Sequence, residues 1–237
     1  MSPSPLSDPS GLAALSDELG HLLRAEAASL GDVVDVAAKW VPGTAGASIT
    51  SYRGAHFTTD AATDERVRRA DALQYDLGSG PCVDAVLDDA IYHPDDLLTD
   101  GRWPEFGSRV AHEEGYRSLL SYRLHTGIDE VVSGLNLYAD EPGAYDDTSV
   151  ARGLLVATRA AAVIAGRKMS HLQKALESSR DIGAAVGVLM SAHKVTREQA
   201  FDLLSIASQR RNRRLRDVAA EVVESGWLQQ RSEGAQA

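Results

Sequence analysis

One cysteine, Cys82, stands in a chain of 237 residues, so no intramolecular disulfide, thiolate zinc cluster or two-cysteine redox cycle can form within it. No run approaches the roughly 18 apolar residues that a membrane helix needs. The opening residues, Met1 to Ser10, lack the basic and apolar regions of a signal peptide. A cytoplasmic protein with no membrane partner is therefore expected. The seven histidines show no His-Glu-x-x-His or paired metal spacing, and no phosphate loop or dinucleotide fingerprint occurs. No metal site and no enzyme activity are predicted, and any cofactor is unknown. Hydrophobic residues at 43% and charged residues at 24% describe an ordinary folded protein, and the length suits two domains.

Charge is unevenly spread. Residues 1–173 carry 14 Lys and Arg against 26 Asp and Glu, whereas residues 174–237 carry 10 against 8. An acidic body repels polyanions at long range, so any nucleic-acid role belongs to the tail region.

Hydrophobic spacing divides the chain. Asp8 as cap and Pro9 at the first helical position start a helix with Leu12, Leu15, Leu19, Leu22 and Leu23 on one face. A second helix spans Gly31 to Trp40, and alternating strands follow at 47–53 and 55–59. Thr63 caps a helix that runs to about Tyr75. Gly78-Ser-Gly-Pro-Cys82 opens a short helix, Ile91-Tyr92 is a brief strand, and Pro104 starts another helix. Strands at 117–124 and 131–138 flank a loop containing Gly127 to Glu130. This order predicts an α+β domain of helices packed on an antiparallel sheet. Helical periodicity without proline then runs from Thr148 to about Ser191, with Leu154, Ala157, Ala161, Ile164, Lys168, Leu172 and Ala175 as an approximate seam for a parallel partner helix, weakened at Gly153, Gly166 and Lys168. The C-terminal region reads as a three-helix bundle. Ile182, Ala185, Val186 and Leu189 form one stripe, and Thr196 with Gln199 a capping box. Ala200, Phe201, Leu204 and Ala207 form a second stripe, and Leu215, Val218, Ala219 and Val222 a third ending at Gly226.

The densest chemical signal is Arg210-Arg211-Asn212-Arg213-Arg214-Leu215-Arg216. Guanidinium groups bind phosphate in bidentate fashion and stack on unpaired bases, so five at one corner suit nucleic acid. The plain alternative is a solvated helix end whose cations complement the helix dipole. Arg180 and Lys194 flank the first bundle helix and extend the basic patch. Cys82, at the start of a short helix, is either a reactive thiol or a small core residue.

Three blocks in order, Ser179-Arg-Asp-Ile-Gly-Ala-Ala-Val-Gly-Val-Leu-Met190, Thr196-Arg-Glu-Gln-Ala-Phe201 and Asn212-Arg-Arg-Leu-Arg-Asp-Val-Ala219 with Gly226, closely resemble the ANTAR domain. That resemblance implies a three-helix module that binds RNA stem-loops in nascent transcripts and acts in transcription antitermination. It places Arg180, Ala184, Gly187 and the Asn212, Arg213, Arg214 and Arg216 segment toward RNA, and the basic cluster adds Lys194, Arg210 and Arg211 as RNA-binding candidates. Gly78 to Ala85, Asp96-Leu97, Arg102 to Phe106, Gly115 to Ser118 and Gly134 to Tyr138 resemble a GAF domain, which implies a ligand or redox sensor. Its pocket would involve Cys82, Tyr122 and Asn136, its small-molecule ligand is unknown, and it would pair as a homodimer through the domain and the long helix. The expected architecture is an N-terminal helix over 1–29, a GAF sensor domain over 30–165, a linker helix with the ANTAR bundle over 166–228, and a disordered tail over 229–237. Two other readings compete with this regulator. One is a helix-turn-helix DNA-binding transcription factor with a GAF sensor. The other is a GAF-fold enzyme, such as a reductase of oxidised methionine, which would need a second cysteine for recycling.

Overall fold

The computed structural model describes residues 9–24, 28–88, 91–127 and 131–226. The expected cap Asp8, loop residues 128–130, the tail from 229, and the side chains of Leu12, Leu22 and Leu23 lie outside the described residues. The chain divides into two units, one ending at Arg167 and one beginning at Lys168.

In the first unit the elements are α1 (Pro9–Arg24), α2 (Leu30–Trp40), β1 (Gly46–Arg53), β2 (His56–Ala62), α3 (Glu65–Leu77), α4 (Pro81–Asp88), β3 (Ile91–Tyr92), α5 (Pro104–Glu113), β4 (Ser118–Leu124), β5 (Val132–Ala139) and the first part of α6 (Asp147–His193). The five strands pair antiparallel in the order β2-β1-β5-β4-β3. This is the expected sheet with flanking helices.

Because successive strand residues point to opposite faces, the sheet has two different sides. Ala47, Ile49, Leu120, Tyr122, Leu135 and Leu137 face an apolar core completed by Leu15 and Leu19 of α1, Val33, Val34 and Ala37 of α2, and Val156, Ala160 and Val163 of α6. The N-terminal helix is thus part of the core of this unit. On the other side Leu119 and Tyr138 join Val67 and Ala70 of α3, Phe106 and Val110 of α5, and Trp103 just before α5, beside a row of buried polar residues, Ser48, Thr50, Ser121 and Asn136.

Several helix signals resolve differently from the sequence pattern. The capping residue of α3 is Asp64, whose carboxylate accepts from Val67 N at 2.9 Å, while Thr63 Oγ1 accepts from Ala47 N. Ser29 and Asp32 form a capping box that starts α2. The pieces Arg102 to Phe106 and Gly115 to Ser118 prove architectural: Trp103 donates to Asp84 at 2.7 Å, and Arg117 pairs with Asp96 at 2.8 Å. A Cβ on Gly107 would lie 1.8 Å from Leu97 O, so α5 can cross that backbone only at a glycine.

The seam expected on the long helix is only partly available. Ala157 and Ala161 are buried in the first unit's core and Ile164 packs against it, because that face of α6 is needed to cover the sheet. Gly153 is not a flaw in a seam: a Cβ there would meet the Tyr122 hydroxyl oxygen at 2.4 Å and its ring at 2.8 Å. Leu154 and Leu155 remain 50% and 42% exposed, as do Met169, Leu172 and Leu176 farther along the helix in the second unit. An 18-residue window of α6 reaches a mean hydropathy of 1.3, enough by length and composition for a span, with 39% of it buried against the protein.

The second unit is built from the rest of α6, α7 (Arg197–Arg211) and α8 (Leu215–Ser225). Ala185, Val186, Leu189, Ala200, Leu204, Val218, Ala219 and Val222 form its core, and the Thr196–Gln199 capping box is present. Phe201 departs from expectation: it is 44% exposed instead of sharing the core with Ala200 and Leu204.

Candidate nucleic-acid interface

Helix α7 stops because Asn212 adopts a left-handed conformation (φ 49°, ψ 44°), one of the few that a non-glycine residue tolerates, and then chiefly as Asn. Its N–H donates to Gln209 O, and Ser208 closes the turn from both sides: Ser208 O accepts from Arg213 N at 3.1 Å, and Ser208 Oγ donates to Arg213 O at 2.6 Å. Three residues later α8 begins with Arg214 as N-cap, and that side chain makes no capping hydrogen bond.

This geometry separates the arginines. Arg210 and Arg211 lie in the last turn of α7, where the helix dipole favours cations. Arg214 and Arg216 sit at the start of α8, where the same dipole opposes them. A solvated helix end explains the first pair and not the second. An anion at the corner would reverse the sign of that cost, since open N–H groups and guanidinium groups would then face the same charge.

Their partners also differ. Arg211 Nη1 donates to Glu221 Oε1 at 2.9 Å and Arg213 Nη1 to Glu221 Oε2 at 2.5 Å. The hydrogen bond from Arg211, then that from Arg213, holds the Glu221 carboxyl below its ordinary range. Arg216 reaches Asp217 at 3.3 Å. Arg210 and Arg214 are exposed and have no ion pair among the described residues. The sequence did not single out Glu221. Its one signal was position, a carboxylate beside the buried Val218 and Val222 on the face of α8 turned toward α7.

Arg180, Ala184 and Gly187 are exposed at spacings of four and three on α6, which puts them on one helical face. Lys194 lies just beyond the helix end at φ 54°. A Cβ at Gly183 or Gly187 would meet nothing within 4 Å. Each helix-interior glycine costs about 1 kcal/mol relative to alanine, and packing within this unit does not require either. Beside this face a cleft of about 440 Å³ runs between α6 and α7, lined by Ser179, Ile182, Gly183, Val186, Arg197, Glu198, Phe201 and Asp202. Exposed Phe201 forms its aromatic wall.

The three residues expected at a sensor pocket do not converge. Tyr122 donates to Val150 O on α6, on the apolar side of the sheet, because odd and even positions of β4 face opposite ways. Cys82 and Asn136 lie on the other side, inside a polar centre that no part of the sequence reading assembled. Asp71 of α3 is its hub. Tyr138 Oη donates to Asp71 Oδ1 at 2.7 Å, Asn136 Nδ2 to the same oxygen at 3.2 Å, and Thr59 Oγ1 to Oδ2 at 2.9 Å. Ser121 Oγ donates to Asn136 Oδ1 at 3.0 Å. Burial is the largest influence on Asp71 and raises its carboxyl above the ordinary range.

The glycine-rich motif before Cys82 now has a structural reason. Gly78 is the left-handed cap of α3 (φ 59°). A Cβ on Gly80 would meet Gln74 Oε1 at 2.3 Å, and that oxygen must pass there to accept from Cys82 N at 2.8 Å. Cys82 Sγ lies 3.2 Å from Thr50 Oγ1, fully buried, and burial pushes its thiol up to about 12. Among the described residues no cluster of His, Cys, Asp and Glu has metal-holding geometry.

Residues 170–223 match the family model of the ANTAR domain. The N-terminal part superimposes on solved GAF domains. One comes from a phosphoenolpyruvate-protein phosphotransferase of Coxiella burnetii, with 16% identity, 71% of this chain, 99% of that chain and a TM-score of 0.51. The corresponding domain from Acinetobacter gives 14% identity, 69% and 96% coverage and a TM-score of 0.53. The chain joins a GAF fold to an ANTAR domain. The ANTAR match falls on the module that carries the arginine corner, and ANTAR domains are regulatory modules that bind RNA. A free methionine-R-sulfoxide reductase from Neisseria meningitidis, in complex with its substrate, shares the GAF fold at 13% identity, 69% and 95% coverage and a TM-score of 0.50. At that identity the likeness extends to the fold alone. No curated protein matches the chain.

Proposed function

We propose that this protein is a signal-responsive regulator of transcription antitermination. Its ANTAR bundle engages RNA stem-loops in nascent transcripts, and its GAF domain answers a small-molecule or redox signal. It works without catalysis, in the cytoplasm. The observation that carries the RNA reading is the placement of Arg213, Arg214 and Arg216 outside the α7 terminus, where a helix end alone gives no reason for them. Arg210, Arg214 and Arg216 supply phosphate contacts, Arg180 and Lys194 extend the patch along α6, and the bare surface at Ala184 and Gly187 lets the nucleic acid approach the helix backbone.

The same reading makes the protein a homodimer. Leu154, Ala157, Thr158, Ala161, Ala162 and Ala165 line an open groove of about 280 Å³ with Arg123 and His125 beside it. A second copy of α6 fits that groove, because small residues permit close approach of helices.

The deciding experiment measures anisotropy of the whole protein with hairpin RNA, paired RNA and duplex DNA over a salt series. Preference for hairpins is expected. Exchanging Arg210 and Arg214 for alanine should each weaken hairpin binding by roughly tenfold and lower the salt slope by about 0.7–0.9 per lost phosphate contact. Preference for a palindromic DNA duplex would replace this reading with the helix-turn-helix one. Unchanged hairpin affinity in both variants would remove the arginine corner from the interface.

A further inference from the structure

Glu221 is a carboxylate placed at the centre of a cationic corner, where it subtracts attraction for any polyanion. Both of its oxygens are occupied, and by arginines from opposite sides of the left-handed Asn212: Oε1 by Arg211 and Oε2 by Arg213. A staple between α7 and α8 would need one of them. Arg213 is fixed twice over, since Ser208 also holds its N–H and its carbonyl, yet its side chain is 46% exposed. A guanidinium has five N–H donors in a rigid fork, so one bond to Glu221 leaves an outward edge free. Arg210 and Arg214, by contrast, have no ion pair among the described residues. The corner therefore contains two arginines directed by Glu221, two with no ion pair among the described residues, and Arg216 beside Asp217.

We propose that Glu221 is a positioning residue for RNA recognition. It sets the Arg211 and Arg213 forks as a fixed pair that accepts only a backbone or base edge of matching spacing, as in the folded loop of a hairpin. Arg210 and Arg214 supply attraction that any polyanion can use. The inference rests on the RNA-binding reading above and assigns specificity within that site. Glu221 thus trades affinity for discrimination: without it, Arg211 and Arg213 repel each other, spread into solvent, and add unspecific charge.

The test uses the full chain and hairpins enriched by wild-type protein from a pool with randomised loops, compared with paired RNA of equal length. In Glu221→Gln the corner gains one net positive charge. Its affinity for paired RNA should rise about threefold to tenfold, and its affinity for the enriched hairpins should fall about tenfold. The hairpin-to-duplex ratio then drops at least thirtyfold, while helix content and melting stay near wild type. A ratio that stays constant, or two affinities that rise together, would overturn the proposal, as would a staple's signature of early melting with preference intact. The variant Arg211→Ala/Arg213→Ala gives an independent readout: it should lose the hairpin preference, and adding Glu221→Gln to it should change the ratio no further. A further drop there would mean that Glu221 acts through other groups and would refute the inference. If the wild type enriches no hairpin, the RNA-binding reading itself fails, which is a different result from a Glu221 variant that keeps its preference.

Discussion

Replacing Asp71 with asparagine should make the GAF domain relatively more stable as pH rises. Asp71 is fully buried, and no cation among the described residues neutralises it: its partners are Tyr138, Asn136, Ser48 and Thr59. Burial outweighs these hydrogen bonds, so the folded carboxyl holds its proton above the range in which an unfolded aspartate, near 3.8, has released it. The stability from this group is complete below that unfolded value and drains away as pH climbs toward the folded one. Each pH unit in that window costs the wild type up to about 1.4 kcal/mol. Asparagine has no such term, and it reproduces the protonated carboxyl: its oxygen accepts from Tyr138 and Asn136, and its amide donates to Thr59 Oγ1. All seven tyrosines lie between residues 52 and 145, so tyrosine circular dichroism reports on this unit even when the bundle unfolds separately. Urea titrations from pH 4 to 8 should show the difference between variant and wild type growing in favour of the variant by up to about 1.4 kcal/mol per unit until the folded pKa is passed. If the hydrogen bonds instead keep Asp71 ionised, the variant loses charge-assisted bonds and lags the wild type by a constant amount from about pH 5 upward, and the buried-acid argument is refuted.

Three further outcomes are expected. With its thiol pushed to about 12, folded Cys82 should react with iodoacetamide at pH 8 about a thousandfold more slowly than in urea-unfolded protein; labelling within tenfold of the unfolded rate would show an accessible thiolate. Gly187→Ala should raise the bundle's stability by up to about 1 kcal/mol, since a Cβ there has open space, and should weaken hairpin binding; a stabilised variant with undiminished affinity would mean that RNA does not approach that backbone. Leu154 lines the α6 groove and is 50% exposed, so Leu154→Glu should leave melting within about 0.5 kcal/mol of wild type while sedimentation equilibrium shifts toward monomer; an unshifted distribution would place any dimer contact elsewhere.

Much of the fold was legible because its signals are local. Period-two alternation in β1 and β5, the Thr196–Gln199 capping box and the stripes at Ala185, Val186 and Leu189 each involve neighbours within a turn or a strand. Local signals mislead where a second element competes for the same surface. Spacing alone offers Ala157 and Ala161 to a partner helix, but both are buried in the core under the sheet. Phe201 keeps helical register with Leu204 and is still 44% exposed, while the smaller Ala200 is the neighbour that enters the core. Tyr122 and Asn136, expected at one sensor pocket, lie on opposite faces of the sheet, because the β4–β5 register sets Ser121 and not Tyr122 opposite Asn136.

The functional corner shows the same division more sharply. Five arginines within seven residues are visible to anyone counting charge, and counting cannot separate those that attract from those that select. That separation depends on where α7 ends, on the left-handed Asn212 that swings Arg213 back toward α8, and on a carboxylate ten residues after Arg211. On the reading proposed above, charge density draws a polyanion to the corner, and direction, set by Glu221 and Ser208, selects which one; neither residue adds positive charge. Removing a free arginine and removing the clamp should therefore have opposite effects on paired RNA: Arg214→Ala weakens it, whereas Glu221→Gln strengthens it, although each variant binds the hairpin less well.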